Sequence, residues 1–251
     1  MVEIVSVVMA TIPERAFFLG KTVERFLKQS YPNKELVVVS DDPEFDQSRF
    51  PNDPRVQYVV LKRPTNLGAK MNVGIEHAKG TFIMKLDDDD WHHPDLITGA
   101  MQALCDTDLD LGITRFRRFP MFFVKLWKMV AVGYYDAKAG NAMCFDRKIW
   151  ERKPFRDVPR RVDTYFWEDH PETVDSIIRD ERLICMVRHG IRHLWTSTYP
   201  DISVDDFFSN HRPEWETPVE KFFPSEDLEF YKRVREELLN GAQTGGNRIG
   251  L

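Results

Sequence analysis

The chain has 251 residues, 42% hydrophobic and 30% charged, with a formal net charge of −5. That length suits one large α/β domain, or one domain with a substantial tail, and the balance excludes wholesale disorder. The three cysteines, Cys105, Cys144 and Cys185, are odd in number and widely spaced, which excludes a disulfide framework and points to a reducing compartment.

At the amino end, Glu3 and Ser6 stand where a signal peptide would be apolar, so no export signal is expected. The most apolar later stretch, residues 119–135, is interrupted by Lys125 and Lys128 and is too short to span a bilayer. The expectation is a soluble, cytoplasmic protein. The net charge hides an asymmetry: residues 115–161 hold 13 Lys+Arg against 4 Asp+Glu, a local +9 that leaves −14 for the rest. Such a block is either a phosphate-facing surface or a solvated face.

Residues 3–10, short and rich in Val and Ile, read as a buried strand that turns at Thr11-Ile12-Pro13. Phe17, Leu19, Val23, Phe26 and Leu27 recur at helical spacing until Tyr31-Pro32-Asn33 stops them. A second strand over 35–40 ends on Asp41-Asp42, and a third covers 56–61. Asn66 is placed to cap a helix carrying Met71, Ile75 and Ala78 and ending at Gly80. A fourth strand, 81–86, runs directly into Asp87-Asp88-Asp89-Asp90, and Pro94 suits the first turn of a helix reaching Leu104. Strands alternating with helices indicate a doubly wound, mainly parallel sheet, whose ligands bind at the carboxyl ends of the strands, where Thr11, Asp41 and Asp87 fall. After 109 the pattern becomes short strands and loops, then a helix over 168–179 and a strand over 183–187. The acidic tail from 201 is expected to end in a helix near 225–240 stopped by Gly241.

Four consecutive aspartates after an apolar strand repel one another unless a cation or a donor neutralises them. A hard divalent ion takes oxygen ligands and bridges carboxylates to substrate phosphates, so Mn²⁺ or Mg²⁺ against a diphosphate would explain the cluster. A solvated acidic turn at a helix N-terminus is the plainer explanation. The surrounding pattern favours the ion. Val5-Ser6-Val7-Val8-Met9-Ala10-Thr11, Gln29-Ser30-Tyr31-Pro32 and Glu35-Leu36-Val37-Val38-Val39-Ser40-Asp41-Asp42 closely resemble the opening of family-2 glycosyltransferases. Asn66-Leu67-Gly68-Ala69-Lys70-Met71-Asn72-Val73-Gly74-Ile75 through Gly80 resembles the next block of that family, and Asp87-Asp88-Asp89-Asp90-Trp91 resembles its DxD element.

The resemblance, specific over roughly residues 4–100, implies a GT-A fold with a C-terminal helical extension and a nucleotide-sugar donor, a UDP-sugar favoured. It implies that Thr11, Pro13, Arg15, Asp41, Lys70, Asn72, Asp87 and Asp88 serve the donor nucleotide. Asp89 would be the principal metal ligand, helped by Asp87 and by His193, with His189 the substitute. Asp42-Pro43-Glu44 departs from the usual "D-D-G-S-x-D" of the family. The family's "E-D" pair matches Glu168-Asp169, implying Asp169 as the general base of an inverting transfer and Glu168 as second choice. Asn141 and Ala142 lie where the family lines its acceptor side, with Arg160 and Arg161 in the basic block nearby. The domain expected is 1–200, with a donor half at 1–105 and an acceptor half at 106–200, followed by an extension at 201–251.

The basic block is interleaved with Phe116, Phe119, Trp127, Tyr134, Tyr135 and Trp150, a composition that suits either a saccharide enzyme with a buried aromatic core or DNA carrying a hydroxylated base. Cys185, His189 and His193 mimic a zinc set, yet fall on a predicted strand with no fourth ligand. Gly20-Lys21-Thr22 lacks the earlier glycine of a phosphate loop, and no G-x-G-x-x-G is present. A sugar-nucleotide nucleotidyltransferase would need a Gly-rich basic N-terminal loop that is missing here. An inactive nucleotide-sugar-binding module is the other alternative.

Overall fold

A computed structural model describes residues 3–133, 140–189 and 214–244. The first half is built as its hydrophobic pattern dictates. Strand β1 (Val5–Thr11) lies between β2 (Lys34–Ser40) and β4 (Phe82–Leu86), parallel to both, and β3 (Val56–Val60) extends the sheet beyond β2. β1 is buried on both faces, so it is a largely apolar run whose alternate residues enter different cores. Val5, Val7 and Met9 join Leu19, Val23 and Phe26 of helix α1 (Ala16–Leu27) and Leu96, Ile97 and Ala100 of α3 (Leu96–Cys105). Val8 and Ala10 join Met71 and Ile75 of α2 (Leu67–His77) on the opposite face. Gly74 makes that second packing possible, because a Cβ there would stand 2.3 Å from Val8 Cγ1.

The seven-stranded sheet has the order β10-β6-β9-β4-β1-β2-β3. Its second part comprises β6 (Gly112–Arg115), β9 (Ala142–Asp146) and β10 (Val174–Ile177), with β9 antiparallel to β4. A second sheet, order β12-β8-β7-β11-β5, packs nearby. It contains β5 (Trp91–His92), the hairpin of β7 (Arg118–Phe123) and β8 (Lys128–Gly133), β11 (Ile184–Arg188) and β12 (Trp215–Thr217). The C-terminal helix, Ser225–Thr244, closes a third core. There Tyr231, Val234 and Leu238 pack with Trp91, Phe122 and Val187. Among the described residues no helix is long and apolar enough to cross a membrane.

Three local expectations are corrected. Asn66 occupies the N-cap position of α2 without a side-chain capping bond, and its amide nitrogen donates to Asp157 at 3.1 Å. That helix stops at His77, and Gly80 serves close approach: a Cβ there would meet Ser6 Oγ at 2.5 Å. After the short α4 (Arg147–Arg152), the helix expected over 168–179 lies earlier, as α5 (Val162–Asp169). Val162, Phe166 and Trp167 form its buried stripe, whereas Pro171 disfavours helix at His170 and the β-branched residues that follow enter β10.

Candidate active site

The parallel strands β1, β2 and β4 end together, and the strand order reverses between β1 and β4. Such a switch point opens a crevice at the carboxyl edge of the sheet. A cavity of about 740 Å³ lies there, lined by Thr11, Arg15, Asp41, Lys70, Lys85, Asp87, Asp89 and Asp90. Asp163, Arg160 and Arg161 line it from the start of α5, Arg63 from the segment after β3, and Arg188 from the end of β11.

The four aspartates take four different environments. Asp87 is the most open and accepts from Lys85 Nζ at 2.8 Å. Burial works against the Lys85 charge, but Asp87 and Asp163 outweigh it and raise its pKa. Asp88 points inward, fully buried, 3.0 Å from Arg15 Nη2. Burial, opposed by Arg15, pushes its carboxyl up to about 7. Asp89 Oδ2 accepts from Arg15 Nη1 at 2.7 Å and lies 3.2 Å from His189 Nε2. Asp90 Oδ1 accepts the Val187 amide at 3.0 Å; burial and the charges of Asp89 and Asp87 push its pKa well upward. Burial lowers the pKa of His189 despite Asp89, which leaves a neutral imidazole facing the Asp89 carboxylate.

Asp41 is held by two donors, Lys70 Nζ and the Thr65 amide, the latter at 2.9 Å, and Lys70 also reaches the Thr11 carbonyl at 3.0 Å. This ties the ends of β1 and β2 into one floor. Pro13 sits in the turn Pro13–Arg15 that delivers the Arg15 guanidinium and does not itself line the cavity. Asn72 is not at the cavity: its amide clamps Phe155 N and O and accepts from Trp150 Nε1 at 2.8 Å. Ala142 is buried in β9 opposite Leu86, and Asn141 is buried beside it without lining the cavity. His193 lies outside the described residues.

The acids of α5 sort differently from the expectation. Asp169, at the helix's last turn, binds Lys153 and Arg156, the latter at 2.7 and 2.8 Å, and does not line the cavity. Glu168 is exposed, 4.0 Å from Arg156. Asp163, in the first turn, faces the cavity and accepts the Gly140 amide at 2.9 Å. Gly140 permits this approach, since a Cβ would lie 2.1 Å from Asp163 Cβ. The displaced helix start is the reason: with α5 beginning at Val162, the first-turn acid is Asp163. The Arg156 and Lys153 partners hold the Asp169 carboxyl down to about 2. An acid with a depressed folded pKa stabilises above its unfolded value, about 3.9, and that contribution disappears as pH falls through the folded value. Asp169→Asn is therefore expected to lower Tm by no more than roughly 2–4 °C at neutral pH, because its partners are half exposed. The gap should close as the pH is taken from about 4 towards 2 in a thermal-melt series, with activity retained.

Lys85, Asp163, Arg63 and Arg188 are cavity residues for which the sequence alone gave no functional expectation. Lys85 had a visible signal, a lone cation in an apolar strand directly before the aspartates.

The family model described as glycosyl transferase family 2 matches residues 6–164. The chain belongs to glycosyltransferase family 2. Among curated relatives of this family-2 chain, the uncharacterized glycosyltransferase MJ1057 of Methanocaldococcus jannaschii is 30% identical over 203 residues, 78% of this chain and 62% of the relative. Glycosyltransferase GlyG of Streptococcus pneumoniae is 29% identical over 124 residues, 47% of this chain and 41% of the relative. The chain thus spans less than two thirds of the length of either. Solved structures show the same fold. S. aureus TarS 1–349 in complex with UDP-GlcNAc is 16% identical, with a TM-score of 0.59, covering 94% of this chain and 71% of that one. Mannosyltransferase PcManGT from Pyrobaculum calidifontis, in complex with GDP-Man and Mn²⁺, is 16% identical, with a TM-score of 0.54, covering 78% and 59%. The fold is that of the GT-A glycosyltransferases, a mixed α/β architecture around a mainly parallel doubly wound sheet.

Divalent ions of the Mg²⁺ type are usually held by one or two carboxylates together with substrate phosphates rather than by a full protein cage. The cavity fits that arrangement. Asp87 and Asp89 both line it, the His189 imidazole stands against Asp89, and Asp90 Oδ2 is buried without a hydrogen-bond partner among the described residues. Arg15 on Asp89 would be the group an ion must share with or displace.

Proposed function

We propose that this chain moves a sugar from a nucleotide-diphosphate donor, a UDP-sugar by preference, to an acceptor hydroxyl with inversion at the anomeric carbon. The observation that carries the reading is the meeting of Asp163, Asp87, Asp89 and several arginines around one cavity at the switch point. Asp163 is the general base. It takes the acceptor's hydroxyl proton as that oxygen bonds to the anomeric carbon and the bond to the diphosphate oxygen breaks. Attack from the side opposite the leaving group inverts the centre. Gly140 N–H orients the Asp163 carboxylate, and Lys85 supplies positive charge beside it. Asp87 and Asp89 would hold Mn²⁺ or Mg²⁺, with His189 beside them, and that ion would neutralise charge on the departing diphosphate. Arg15, Arg160, Arg161 and Arg188 supply further positive charge to the cavity wall. Proton NMR of the product formed from an α-linked donor tests the stereochemistry. A β-linked product supports inversion; an α-linked product contradicts it.

The acceptor is a saccharide or another small hydroxyl compound. Among the described residues, several cations of the +9 stretch are paired with acids instead of gathered into one phosphate-facing surface. Arg115 pairs with Asp175, Arg118 with Glu181 and Glu214, Arg152 with Glu172, and Lys153 and Arg156 with Asp169. Phe116, Phe119 and Trp150 are core residues. A gel-shift assay with plain and hydroxymethylated duplexes is expected to show no retention at moderate ionic strength. A DNA acceptor would instead give salt-dependent binding with a slope of roughly −0.9 per phosphate contact, reduced in Arg160→Ala/Arg161→Ala.

A further inference from the structure

The Asp87–Asp90 segment is fixed from behind by residues that do not line the cavity. Thr22 Oγ1 of α1 donates to the Asp88 carbonyl at 2.8 Å. One turn further along α1, Arg25 donates to Asp227 Oδ1 through Nη2 at 3.0 Å and Nε at 3.3 Å. The other oxygen of Asp227 accepts from Trp91 Nε1 at 2.6 Å, and Trp91 directly follows Asp90 in the chain. These contacts close a ring: Asp88, Thr22, Arg25, Asp227, Trp91 and back along the chain to Asp90. All the side chains that close it are buried; Asp227 is 3% exposed and Arg25 is 5% exposed. The surroundings leave little room for another arrangement. Phe222 and Phe223 meet the Trp91 ring edge-on at 5.4 and 5.6 Å, and the Arg25 guanidinium lies over the Tyr231 ring at 5.4 Å.

We propose that Asp227, on the C-terminal helix, is a positioning residue that sets the aspartate segment for donor and metal. It acts through Trp91 and Arg25, not by touching substrate. The carboxylate is needed for both jobs, because a buried guanidinium and a buried indole N–H must each have an acceptor. The C-terminal helix is therefore part of the donor site's machinery, although it does not itself line the cavity. The proposal rests on the donor reading above, so its test has one arm that does not.

Asp227→Asn keeps the shape and loses the charge that Arg25 requires. In the wild-type protein and this variant, amide hydrogen exchange is followed over residues 87–92 and over β1, and Mn²⁺–UDP affinity is measured by calorimetry. Exchange is expected to speed up over 87–92 with β1 still protected. Affinity is expected to fall by roughly tenfold or more, as when groups that orient metal ligands are removed. Trp91→Phe, which removes only the N–H and leaves the Arg25–Asp227 pair, should move both readings the same way by a smaller factor; it carries the test if Asp227→Asn does not fold. A lower Tm with unchanged exchange over 87–92 overturns the proposal, as does faster exchange there with unchanged affinity. If the wild-type protein binds no nucleotide, the donor reading falls, and the exchange comparison alone decides whether Asp227 sets the segment.

Discussion

Replacing Asp163 with asparagine is expected to lower transfer at saturating donor and acceptor by about 10²–10⁴-fold, the usual weight of general-base catalysis. Asparagine keeps the size of the side chain and can still accept the Gly140 amide through its carbonyl, so the cavity should hold its shape. It cannot take a proton. Donor KM should hardly move, because the carboxylate acts on the acceptor. Steady-state kinetics separate this from the competing assignment. If Asp169→Asn produces the large loss and Asp163→Asn does not, the base lies at the other end of α5 and the present reading of the helix is wrong. The geometry argues against that outcome, since Asp169 is neutralised by Arg156 and Lys153 away from the cavity.

Asp89→Ala is expected to reduce transfer by at least roughly 10²–10³-fold, since a metal clamp on a leaving group contributes several kcal/mol and each decade of rate takes about 1.4 kcal/mol. Folding should suffer little. Asp89 sits among Asp87, Asp88 and Asp90, and removing one charge relieves repulsion within the cluster. The opposing cost is Arg15, which loses one of two partners but keeps Asp88. A thermal melt and a turnover assay over a range of Mn²⁺ concentrations check both halves. Near-normal turnover of the variant in chelator would contradict the metal-assisted reading.

The first hundred residues were legible because their signals are local. β1, β2 and β4 are largely apolar runs that stop at the same edge on Thr11, Ser40-Asp41 and Asp87, so their pattern alone locates the crevice. Asp87–Asp90 stands out because crowded carboxylates demand a counter-charge. The rest of the chain was less legible because the relevant contacts are long-range. Misplacing α5 by six residues moved the acid presented to the cavity from Asp163 to Asp169. Asn72 lies in a segment that resembles the family's donor block, yet its amide is occupied by Phe155 and Trp150, about 80 residues onward. Net charge gave no sign that Arg115, Arg118, Arg152, Lys153 and Arg156 of the basic block are taken up by acids elsewhere in the chain. The Asp227 contact to Trp91 spans 136 residues and has no counterpart in any local periodicity.

The most direct test of the account is the binding of nucleotide-sugars by the intact protein, measured by calorimetry across a panel of UDP- and GDP-sugars with and without Mn²⁺. The account predicts Mn²⁺-dependent binding of at least one UDP-sugar, lost in Asp89→Ala and retained in Asp163→Asn. Binding that is indifferent to Mn²⁺ and to Asp89, or no binding by any donor in the panel, would contradict it.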